Sequence, residues 1–150
     1  MPFLTPLQIE KLADGRWKTL APLIYQSAER VVPWKVPAEF VTDLASVPRL
    51  PLAYLLAGNT AHAPAVLHDY LYQTQPVDRD VADAVFLEAM RDDNVPAWRR
   101  RVMWAAVRTG GWYPWNQHAA RRAALNPIWC REGWPEATPS SRCSPWPADT

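Results

Sequence analysis

Cysteine is nearly absent: the 150 residues hold two, Cys130 and Cys143, both near the C-terminal end. Neither belongs to a C-x-x-C spacing and there is no third, which argues against a thiolate zinc site. Two free thiols are expected, with closure of one loop between them as the alternative. A strong net charge is also lacking. At +1, with an isoelectric point near 7.8, bulk attraction to nucleic acid or to an anionic membrane is a poor default. No stretch reaches the roughly 20 apolar residues of a membrane span. The opening Met1-Pro2-Phe3-Leu4-Thr5-Pro6 has neither the basic n-region nor the long apolar core of a secretory signal, so synthesis in the cytoplasm is expected. No repeat of about 20 to 50 residues is visible.

Apolar residues, proline and tryptophan are plentiful. Apolar residues make up 49% of the chain, enough for a real core. Sixteen prolines and nine tryptophans predict many short elements and aromatic-packed loops rather than a long helical bundle.

The pattern predicts an α+β fold: a small N-terminal antiparallel sheet packed on three to four helices, followed by an irregular tail. The β part is expected over residues 1–48. Leu7 and Ile9 alternate with polar neighbours, Asp14-Gly15 supplies a hairpin turn, and Arg16 to Tyr25 returns as a strand. In the run from Val31 to Thr42, Pro33 and Pro37 demote the first half to edge strand or coil, leaving Glu39 to Thr42 as the better strand. The helical part is expected over 51–125, after a short apolar turn at Leu52 to Ala57. Helices should run from Pro64 to Gln73, from Asp78 to Asp93-Asn94, from Pro96 to Gly110-Gly111, and from Trp115 to Leu125. Residues 1–125 thus form the domain and 126–150 an extended tail, whose Trp129, Trp134 and Trp146 suggest packing on the domain or on a partner.

His68-Asp69 stands out inside the apolar run Pro64 to Tyr72. Both groups are costly to desolvate, so they are there to hold the core or to do chemistry. On a helical wheel, Val66, Leu67, Tyr70 and Leu71 share one side, whereas Ala65, His68, Asp69 and Tyr72 share the other, a workable floor for a cleft. An antiparallel second helix would bring Asp83 toward His68 or Asp69, with Arg79 four residues before Asp83 and able to pair with it; Asp80 points toward solvent. Asp43 and Ser46 lie in the loop after the last strand.

Two readings of this set stay open. In one, His68 and the carboxylates of Asp43, Asp69 and Asp83 hold a divalent metal, zinc as first guess, that activates water for hydrolysis, with Tyr72 and Arg79 in support. The catalytic set is then His68, Asp69, Asp43 and Ser46. In the other, Asp43 caps a turn with Ser46, Arg79 pairs with Asp83, and Asp69 orients a buried His68. A Ser46-His68-Asp triad is disfavoured because Ala45-Ser46-Val47-Pro48 lacks the glycines of a nucleophile elbow. His62 reads as a surface or capping residue and His118 as solvated. Arg99-Arg100-Arg101 reads as a solvated helix face, with Trp98 and Trp104 at core-compatible spacing and Asp92-Asp93 offering local pairing.

Three segments carry a resemblance: Thr42-Asp43-Leu44-Ala45-Ser46-Val47-Pro48, Ala65-Val66-Leu67-His68-Asp69-Tyr70-Leu71-Tyr72, and Arg79-Asp80-Val81-Ala82-Asp83-Ala84-Val85-Phe86. Together they resemble a small family of unknown function encoded by tailed bacteriophages and prophages, over roughly residues 35 to 112. The resemblance implies a phage gene among tail or lysis genes, made in the host cytoplasm and carried in the virion tail. One expectation is a metal-dependent hydrolase acting on host peptidoglycan. The other is a non-catalytic virion or tail-assembly component. Expected partners are accordingly other phage structural proteins or the cell-wall polymer, with no nucleic acid and no membrane span.

Overall fold

Gly15 adopts φ +84°, and the turn it makes possible is closed by Leu12 N–H on Arg16 O at 2.8 Å. In the computed structural model, which describes residues 2–42 and 61–125, that turn joins β1 (Ile9–Lys11) to β2 (Trp17–Thr19) in the register Ile9 to Thr19. β5 (Val41–Thr42) adds antiparallel to the other edge of β2. The run Arg16 to Tyr25 is not one strand as expected. It breaks after Thr19, ahead of Pro22, which has no N–H to give a ladder, and resumes as β3 (Leu23–Tyr25) in a second sheet. The partner of β3 is β4 (Trp34–Val36), held between Pro33 and Pro37; in a two-stranded sheet its outer edge needs no donor. Leu23, Tyr25, Trp34 and Val36 all point inward, and each contributes about 1.5–3 kcal/mol by leaving water.

Four helices follow: α1 (His62–Thr74), α2 (Arg79–Asp92), α3 (Ala97–Gly110) and α4 (Trp112–Leu125). The chain is therefore α+β, with antiparallel strands first and helices after. α1 begins two residues before Pro64, which still lies in the first turn, where a missing N–H costs nothing. α4 begins at Trp112, three residues earlier than expected, because Gly111 does not end the helical path: its φ of −68° is helical. The tail after Leu125, with Cys130, Cys143, Trp129, Trp134 and Trp146, lies outside the described residues, as does the turn expected at Leu52 to Ala57.

The inward face of β3–β4 meets Val66, Leu67, Leu71 and Tyr72 of α1 and Ala82, Val85 and Ala89 of α2 in one core. A second core, Phe86, Met90, Val95, Met103 and Val107, joins α2 to α3. Two carboxylates one turn apart tie α2 to the sheet: Tyr25 Oη donates to Asp92 at 2.7 Å, and Ser27 Oγ donates to Glu88 at 2.7 Å. Asp92 is thus engaged by a phenol, not by the arginines of α3. Burial first, then the Asp92 carboxylate, raises the Tyr25 phenol far above its usual range.

Candidate functional site

α1 is buried nearly all round: Pro64 to Asp69, Leu71 and Tyr72 are all out of solvent. The side that carries His68 and Tyr72 is therefore no cleft floor. It is the seam against α2, because α2 offers small Ala82 and flat Phe86 to close over it. His68 lies between Tyr72 and Phe86, with ring centroids 4.2 Å and 4.5 Å away. The pairing of Tyr72 with Asp83 and of His68 with Phe86 is that of an antiparallel helix hairpin. Gln75, in the left-handed region at φ 47°, ends α1 and turns the chain toward α2.

Asp83 is the hub of this seam. Its Oδ1 accepts from Tyr72 Oη at 2.7 Å and lies 3.1 Å from His68 Nε2; its Oδ2 accepts from Arg108 Nη1 of α3 at 3.3 Å. Arg108 also bridges to the exposed Asp80. One carboxylate, 1% exposed, thus links α1, α2 and α3. Burial pushes the Asp83 carboxyl up, but the hydrogen bonds from His68 and Tyr72 and the Arg108 guanidinium outweigh it and hold the group below its ordinary value. For His68 burial wins over the Asp83 charge and lowers its pKa. Burial, then Asp83, raises the Tyr72 phenol.

These directions fix the proton. An ionised Asp83 can only accept, so a neutral His68 presents Nε2–H to it and keeps a bare lone pair on Nδ1. That Nδ1 is buried and has no hydrogen-bond partner among the described residues.

The expected constellation is only partly assembled. His68, Asp83 and Tyr72 converge. Asp69 turns away to Thr42, whose Oγ1 donates to its Oδ2, so it pins β5 to α1 instead of joining His68. Arg79 does not pair with Asp83; it donates to the Arg108 backbone carbonyl at 3.3 Å, and Arg108 takes the place expected of it. Asp43 and Ser46 lie outside the described residues. Among those described, no three His, Cys, Asp or Glu side chains form a group that could hold a metal ion. Asp80 is exposed, as expected. His62 is half-buried as the first residue of α1 and caps nothing, the cap being Ala61 with no side-chain bond; His118 is likewise half-buried rather than solvated.

Arg108 and Thr42 are not among the expected site residues, yet they partner Asp83 and Asp69. Arg108 is one of six arginines between Asn94 and Leu125, and nothing in its neighbours distinguishes it. A shallow depression lined by Gln75, Pro76, Asp78, Trp115 and Arg122 includes neither His68 nor Asp83.

The site defines a class: an α+β protein whose helices are clasped by a buried His–Asp–Tyr cluster reached by the half-exposed Arg108. The chain belongs to the family described as "Protein of unknown function (DUF1353)", whose model matches residues 17–107, from the start of β2 to the residue before Arg108. No curated protein matches the chain, and no solved structure does.

Proposed function

We propose that this chain is a non-catalytic assembly component, a virion or tail protein of the phage setting implied by its motifs, in which the His–Asp cluster is structural. Enclosure carries the reading. His68 and Asp83 are 0% and 1% exposed, with aromatic rings on both sides of the imidazole, so no substrate reaches the pair without opening the α1–α2 seam. Asp69 has a structural duty of its own on β5. Quantitative mass spectrometry of washed particles from the encoding phage tests this: the protein should be present at fixed copy number, and its absence would count against the proposal.

One observation favours a second reading, the metal-dependent hydrolase. Metal-ligating imidazoles commonly donate their other nitrogen to a carboxylate, as His68 does to Asp83, and the bare Nδ1 is the atom that would bind. A metal there would activate water; His68 would hold it, Asp83 would orient the ring, and Asp43, next in the chain after Thr42, is the candidate second ligand. This reading expects a stoichiometric metal, lost in His68→Ala, and zinc-stimulated release of fragments from purified sacculi. The structural reading expects neither.

A further inference from the structure

Trp98 and Trp104 do not enter the core. They are 50% and 37% exposed, and Trp112 and Tyr113, in the first turn of α4, are 64% and 61% exposed. Only Met103 and Val107 of α3 are buried. With Ala97 at zero on a helical wheel, Trp104, Arg108, Arg101, Ala105 and Trp98 follow one another from about 340° to about 100°, on the side away from those two. Guanidinium groups sit by the indoles: Arg99 is 5.2 Å from the Trp98 ring and Arg108 is 6.0 Å from the Trp104 ring.

Charge on these two helices has one sign. From Asn94 to Leu125 there are six arginines and no aspartate or glutamate. Arg108 is neutralised by Asp80 and Asp83, and Arg100 donates to the Val95 carbonyl. Arg101, Arg121 and Arg122 meet no carboxylate among the described residues. The net charge of +1 conceals this asymmetry, since the carboxylates all lie elsewhere in the chain.

The occupant of such a face must be anionic and offer flat apolar surface. A second copy would set arginine against arginine. A bilayer calls for an apolar face free of charge, whereas here Arg108 and Arg101 lie between Trp104 and Trp98, with the exposed Val102 beyond Trp98. A single strand supplies both needs, phosphates for the guanidinium groups and bases for the indoles. We propose that the outer face of α3 and the first turn of α4, through Trp98, Arg101, Trp104 and Trp112, bind single-stranded nucleic acid. The inference goes beyond the assembly reading and holds or fails independently of it.

Fluorescence anisotropy of a labelled oligothymidylate of about 20 nucleotides, titrated with the full chain, tests it. Arg101, the arginine of this face that meets no carboxylate among the described residues, predicts a slope of about −0.7 in log affinity against log salt. Arg101→Glu should weaken binding several-fold at low salt and flatten that slope. Trp98→Ala should weaken it several-fold, with circular dichroism unchanged in every variant. Absence of binding would overturn the proposal, as would binding indifferent to Trp98→Ala, which is mere ion exchange. Preference for phosphatidylglycerol vesicles over the oligonucleotide, or a dimer in sedimentation that Trp98→Ala disperses, would assign the face to another occupant and overturn it too.

Discussion

Asp83 holds its position because three donors converge on it. Removing one partner of such a buried set is costly, as the remaining groups lose their partners without regaining water. His68→Ala also leaves a hole between Tyr72 and Phe86. Each of His68→Ala and Asp83→Ala should cost about 3 kcal/mol in urea unfolding. The double variant should cost clearly less than the sum, a coupling of about 1 kcal/mol or more. Strict additivity would show that the two side chains act separately. Trp98→Ala, on the exposed face of α3, should change stability by no more than about 0.5 kcal/mol.

Elements are joined here by single side chains placed at their ends. Thr42 is the last residue of β5, 1% exposed, and its hydroxyl on Asp69 fastens that short strand to α1. Thr42→Val keeps the shape and removes the donor; it should cost about 1–3 kcal/mol and speed amide exchange at Val41 and its partner Lys18 ahead of the helices. Gly111 lies at the α3–α4 junction under the Tyr72 hydroxyl, and a Cβ there would collide with it. Gly111→Ala should therefore cost about 1–3 kcal/mol, seen as a lowered urea midpoint. An unchanged midpoint would mean that the α3–α4 junction yields freely.

The helices were legible at this scale because their signals are local: Pro64, Asp78, Pro96 and the periodic apolar stripe of α2 each mark a boundary or a face within a few residues. The break at Pro22 was missed because the alternation of Leu23 and Tyr25 continues that of Trp17 and Thr19, and only tertiary pairing assigns them to different sheets. Within the site, the approach of Asp83 to His68 followed from hairpin geometry, but the diversion of Asp69 to Thr42 and the arrival of Arg108 depend on contacts 27 and 25 residues apart in sequence. Tryptophan spacing misled on α3 for a related reason: a core-compatible period does not say which side of a helix meets the core.

Over the whole molecule the buried pair makes stability depend on pH in a defined direction. The folded pKa of His68 is below the ordinary 6.5, so as pH falls past 6.5 the unfolded chain takes up a proton that the folded chain refuses. Asp83, held below the ordinary 3.8, adds a second loss at lower pH, as acid protonates it first in the unfolded chain and then in the folded one. Both act in the same sense, and stability should fall on acidification, by up to about 1.4 kcal/mol per pH unit for the His68 proton. In His68→Gln the slope should be shallower, the difference approaching that amount about one pH unit below 6.5, as read from urea midpoints across the acid range. Whether His68 is a neutral structural imidazole with its proton on Nε2 can be read from its imidazole nitrogen resonances, followed through acidification and on addition of zinc. A structural His68 keeps a protonated Nε2 and a bare Nδ1, unchanged until the fold is lost and unmoved by one equivalent of zinc; a His68 that titrates near 6.5 in the folded protein, or an Nδ1 that shifts with zinc, would rule that role out.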